Sequence, residues 1–162
     1  MNLPAHYASH PVDPDSLPWI PLGPGESFKP LCIFQKERGR VLLLRLEPGA
    51  VVSRHRHLGD VHAVNLSGSR KLLETGEVIG PGTYVYEPAG NVDSWMAVGE
   101  EPVVVHIVAH GAMEYLDEHG TVTQRDTSAS LVAAYHRYCA EHGLTPRDLT
   151  APAAQGRQEG AA

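Results

Sequence analysis

Short runs of apolar residues recur along most of the chain, each bounded by Gly, Pro, Asp or Ser. Residues 41–47 are apolar enough to be buried on both faces. Residues 51–57, 61–66, 70–74, 83–87, 93–98 and 102–110 read as further short strands, with turns at Leu58-Gly59-Asp60, Ser67-Gly68-Ser69, Gly80-Pro81-Gly82, Pro88-Ala89-Gly90 and Gly99-Glu100-Glu101. Residues 115–120 read as a hairpin in which Gly120 supplies the positive φ. The period then changes. Leu131, Ala134, Tyr135, Tyr138 and Cys139 recur at helical spacing over residues 130–142, and Gly143 supplies the stop. Thr145-Pro146 predicts one more short helical turn, with the proline at its first position.

The two ends differ from the middle. Residues 1–30 are rich in proline, which excludes regular helix and limits ladder pairing, so they predict an arm that docks through Trp19, Ile20 and Leu22 on the body or on a second subunit. Residues 31–125 form the strand-rich body and 126–150 the helical segment, while 151–162, rich in Ala, Gln and Gly, predict a disordered tail. The class is all-β, a single-domain barrel or sandwich.

Composition narrows the function. With 42% hydrophobic and 20% charged residues the chain is of ordinary globular type, and its net charge of −6 leaves no basic stripe for a nucleic acid. Two cysteines far apart in sequence predict no disulfide and a reducing compartment. The N-terminus shows no signal-peptide pattern and no run reaches the length of a membrane span, so the expected location is the cytoplasm, away from membranes.

The chemistry gathers in two segments. His55-Arg56-His57 places two imidazoles on one face of a strand, roughly 7 Å apart along the backbone, and turns Arg54 and Arg56 to the other face. The second segment, residues 82–93, delivers Asp93 after a Pro-x-Gly turn. Two His and one Asp on a β-scaffold make the ligand set of a mononuclear non-haem metal centre. Glu74, at a strand end, and His106, inside a valine-rich run where it could restore a third nitrogen, are the other polar groups that could complete the shell; Tyr84 and Tyr86 share a face and could line a pocket.

These segments resemble the cupin superfamily. Gly49, His55, His57 and Gly68 keep the spacing of its first motif, and Gly82, Pro88 and Gly90 that of its second. Two positions depart: Val61 stands where the family places its glutamate ligand, and Asp93 where it places its last histidine. Residues 53–57, 61–63, 84–90 and 115–118 are more closely similar to the 2,4'-dihydroxyacetophenone dioxygenase and acetylacetone dioxygenase type of cupin. That resemblance implies a jelly-roll-like cupin β-barrel with a Pro-rich arm and a C-terminal helix, forming a homodimer. It also implies an Fe(II) centre held by three histidines without the motif glutamate, so that Val61 agrees with this type of cupin and Asp93, in the place of the last histidine, does not. In this chain His55, His57 and Asp93 would hold the metal, with Zn, Mn and Ni as alternatives to iron, and Glu74 or His106 would take the substrate proton. The partners would be O2 and a small aryl hydroxyketone or diketone whose C–C bond is cleaved. A cupin isomerase or hydrolase using Zn or Mn, and a non-catalytic small-molecule or metal-binding cupin, are the competing readings.

Overall fold

A computed structural model describes residues 9–151. The chain forms twelve strands: β1 (Ile20–Gly23), β2 (Glu26–Phe34), β3 (Gly39–Leu46), β4 (Val51–His57), β5 (Val61–Ser67), β6 (Ser69–Leu72), β7 (Val78–Ile79), β8 (Tyr84–Glu87), β9 (Val92–Val98), β10 (Val103–His110), β11 (Met113–Leu116) and β12 (Val122–Asp126), with inward and outward positions alternating most regularly in β5 and β9. They pair into two six-stranded sheets, in the orders β1-β2-β3-β10-β5-β8 and β12-β11-β4-β9-β6-β7. Every pairing between these strands is antiparallel. Phe28, Leu42, Leu44, Leu46, Val103 and Val105 of the first sheet share one core with Val52, Trp95 and Ala97 of the second. The result is the expected all-β, jelly-roll-like fold, a sandwich of two sheets that keep free edges.

Motif glycines hold the turns that fix this register. Gly68, at φ +63°, closes the β5–β6 turn, and a Cβ there would lie 2.4 Å from the carbonyl oxygen of Pro102. Only glycine combines that backbone conformation with that approach.

The chain enters the first sheet earlier than its prolines predict. β1 and most of β2 lie within residues 1–30, and Leu17, Ile20 and Phe28 are buried in the core. The prolines are accommodated because β1 is an edge strand and because the β2–β3 register shifts between Pro30 and Cys32. The preceding residues do dock on the body: Lys29 donates to the Pro14 carbonyl at 2.8 Å and lies 4.8 Å from the centre of the Trp19 ring.

The helix α1 (Ser128–Glu141) starts two residues before the expected 130, because Thr127 and Ser130 form a capping box. Its Leu131, Tyr135 and Cys139 face the sandwich. Beyond Gly143 the expected helical turn at Thr145 does not form. Instead Leu149 and Ala151 exchange backbone hydrogen bonds with Ile33, and the Tyr135 hydroxyl accepts from the Arg147 amide. The tail expected at 151–162 lies outside the described residues except for Ala151, as do the first eight residues of the arm. Among the described residues no helix is long and apolar enough to cross a membrane, and Cys32 and Cys139 are both free thiols.

Candidate metal centre

β4 carries the two histidines, and a bulge aims them. Val52 points into the core; the β4–β9 register then shifts between Val52 and His55, so that Ser53 and Arg54 are both exposed and the phase is restored with His55 and His57 facing inward. Arg56 turns outward, as the alternation predicts, and donates to Glu114 at 2.6 Å. Across the bulge His55 stands opposite Asp93 of β9, which faces inward with Trp95 and Ala97.

The donor atoms converge. His55 Nε2 and His57 Nε2 are 3.1 Å apart, His57 Nε2 lies 3.3 Å from Glu87 Oε2, and His55 Nε2 lies 3.2 Å from Asp93 Oδ1. His55, His57 and Glu87 each offer a ligand atom within 4.8 Å of the others, and all three side chains are buried. Bonds of about 2.1 Å meeting at right angles leave neighbouring donors about 3 Å apart, so these spacings suit a single small ion. His55 Nδ1 is 2.9 Å from the Ser53 carbonyl, which can only accept. Nδ1 therefore carries the proton and Nε2 turns its lone pair to the cluster, as where a ligating imidazole is oriented by donating its other ring N–H to a carbonyl. Glu87 Oε2 and Asp93 Oδ1 are buried without a hydrogen-bond donor among the described residues. A cation is the group that would satisfy them, so the residues present fit a metal.

Electrostatics point the same way. Burial, with His55 and Arg40 nearby, pushes His57 down to about 3, so its imidazole is neutral and available as a ligand. Burial, reinforced by the Asp93 carboxylate, pushes Glu87 up to about 7. Burial also raises Asp93. Two carboxylates held away from water beside the neutral His57 imidazole are stabilised by a divalent charge between them.

His55, His57 and Glu87 of the cluster line a cavity whose apolar walls include Leu42, Leu44, Val52, Val61, Trp95 and Ile107. Arg70 stands among these walls, and Glu26, Arg40, Tyr115 and Asp126 give the same cavity a second polar region.

Of the residues singled out from sequence, the fold brings together His55, His57 and Asp93. Glu74 and His106 do not line this cavity. Glu74 lies beyond β6 on the surface, where its carboxylate accepts from the Ser94 amide at 3.0 Å and hydroxyl at 2.7 Å. His106 sits mid-β10 opposite Leu43 and Val64, and strand alternation turns it away from the core-packed Val105 and Ile107. Tyr84 and Tyr86 also point outward, 57% and 53% exposed, and the Tyr84 hydroxyl meets His62 at 2.7 Å. Glu87 is the addition. Outward tyrosines at 84 and 86 imply an inward residue 87, and a residue before proline is extended, so its orientation was readable from β8 once the phase was set.

Comparisons with known proteins agree with this geometry. No curated protein sequence matches the chain. Among solved structures, an RmlC-like cupin protein from Ralstonia eutropha JMP134 superposes with a TM-score of 0.82 at 25% identity, over 88% of this chain and 94% of that one. The acetylacetone dioxygenase from Acinetobacter johnsonii gives a TM-score of 0.69 at 15% identity, over 85% and 97%. The anti-sigma factor ChrR of Rhodobacter sphaeroides, solved in complex with SigE, gives 0.52 at 18% identity, over 59% and 50%. The family model described as the ChrR cupin-like domain matches residues 8–114, the stretch that contains both motifs and the whole histidine–carboxylate cluster, and the chain belongs to that family.

Proposed function

We propose that this protein is a metal-dependent cupin oxygenase, in which His55, His57 and Glu87 hold one divalent ion and Asp93 completes or braces the site. The observation that carries the reading is the buried convergence of two imidazoles and a carboxylate lining a cavity with apolar walls. Two nitrogens and one carboxylate leave several positions of an ion open, the pattern of non-haem iron oxygenases. Fe(II) bound there would supply the Lewis acidity and O2 chemistry needed to cleave the C–C bond of an aryl hydroxyketone or diketone. The chain's own part is to bind and to exclude water. Leu42, Leu44, Val52 and Ile107 wall the space beside the cluster, and Trp95 offers a flat face to an aromatic ring. The structural likeness to acetylacetone dioxygenase is one of fold and supports the class without fixing the substrate.

The test is elemental analysis of untagged protein beside His57→Ala, followed by O2 uptake with aryl hydroxyketones and with 2,4-pentanedione. Near-stoichiometric iron that disappears in His57→Ala, with O2 consumed on adding substrate, supports the reading. A bound metal without O2 consumption for any substrate favours the second reading, a non-catalytic metal-binding cupin, which rests on the shared family with ChrR.

A further inference from the structure

Arg70 is 2% exposed on β6, faces the inside of the sandwich and lies 4.7 Å from the centre of the Trp95 ring. Its Nε and Nη2 meet no hydrogen-bond acceptor among the described residues. A guanidinium is charged at any physiological pH, and one buried with idle donors is costly unless something anionic meets it. The nearest carboxylates, Glu87 and Asp93, are directed to the histidines at 3.3 and 3.2 Å and make no hydrogen bond with it. The same guanidinium lines the cavity that contains His55, His57 and Glu87.

We propose that Arg70 is an anion-recognition residue of this cavity, and that the ligand it takes is a small apolar-bodied monoanion carrying a planar oxygen pair, a carboxylate or an enolate. The proposal rests on the metal reading for its charge count. Around the histidines, apart from the second polar region of Glu26, Arg40 and Asp126, a divalent ion, the two carboxylates of Glu87 and Asp93 and the Arg70 cation sum to one positive charge, which a single negative charge on the ligand neutralises. A neutral ligand would leave the buried cation uncompensated, and a dianion would overshoot it. The fork of a guanidinium matches two coplanar oxygens, and the leucine, valine and tryptophan walls suit an aliphatic or aromatic body. The Trp95 ring, with the guanidinium carbon over it at 4.7 Å, is a cation–π support for the fork.

The experiment titrates the full chain, loaded with Zn(II), with benzoate and with its neutral isostere benzamide, read by calorimetry, with zinc content measured on the same samples. Benzoate is expected to bind about tenfold or more tighter than benzamide, the scale of one hydrogen-bonded charge. Arg70→Met is expected to lose that preference while holding as much zinc as the parent. Equal binding of the two probes by the unmutated chain, which needs no variant to fold, overturns the proposal, as does a preference that survives in Arg70→Met. If the parent holds no zinc, the metal reading fails and the charge count built on it falls with it, whereas equal binding of the two probes by a chain that does hold zinc overturns the role of Arg70 alone.

Discussion

Val61 of β5 stands directly opposite Glu87 of β8 in the antiparallel register. Val61 occupies the place where the cupin pattern puts its glutamate ligand, and both side chains face the metal cavity. Cross-strand neighbours have Cβ atoms about 5 Å apart, so a carboxylate can move from one strand to the next and still reach the same point. On the proposed reading the carboxylate that the motif lacks at Val61 comes from Glu87 on the adjoining strand, and Val61 itself lines the cavity.

That exchange predicts a transferable ligand. Glu87→Val should remove bound metal, and adding Val61→Glu to it should restore most of the metal by rebuilding the carboxylate on β5. Elemental analysis of the parent, the single variant and the double variant reads the outcome. Full metal content in Glu87→Val would show that Glu87 is not a ligand.

Metal uptake should weaken as the solution becomes more acidic. Glu87 titrates near 7 in the metal-free chain, so below that pH an ion must displace a proton, and affinity falls about tenfold per pH unit. Asp93, also raised by burial, acts in the same direction. His57, pushed down to about 3, contributes no proton in this window. Zinc affinity measured by chelator competition between pH 5.5 and 8 should rise and then level off near neutrality; a flat profile would contradict the assignment of Glu87.

Much of this site could be read from the chain, and the remainder depended on phase. His55 and His57 share a face by strand alternation alone, and Asp93 was reachable by counting from Pro88 and Gly90. Whether that face points inward was decided by the bulge at Ser53–Arg54, since without it Val52 and the histidines would lie on opposite sides. Glu74 was placed in a strand that ends at Leu72, and past that end the chain turns to the surface. The valines beside His106 signal a strand with apolar residues on both faces, so they could not say which face the histidine takes. The early strands were hidden by Pro21 and Pro30, tolerable only because one lies at an edge and the other at a register shift, neither of which local sequence reveals.

Asp93→Asn separates a ligand or brace from a turn residue. The substitution keeps the shape of a side chain that sits 3.2 Å from His55 Nε2 but removes its charge. Metal affinity should fall on the order of 10- to 100-fold, the range for groups that ligate or orient ligands. An unchanged affinity would leave Asp93 as a structural partner of His55.

Glu26 offers a test away from the metal cluster. Burial, with the Asp126 carboxylate adding to it, pushes Glu26 up to about 7. A carboxyl group raised in the folded state stabilises the fold below its unfolded value near 4.5, and that stabilisation is lost as pH rises through 7, because the folded chain resists an ionisation that the unfolded chain accepts. Glutamine has nearly the same shape and cannot ionise. Glu26→Gln should therefore match the parent near pH 4 and exceed it at pH 8 by on the order of 2 kcal/mol, which corresponds to roughly 4–8 °C in Tm for a chain of this size. Thermal unfolding of both proteins at the two pH values reads the difference directly. Equal stability at pH 8 would mean that Glu26 ionises at the cavity as freely as it does in water.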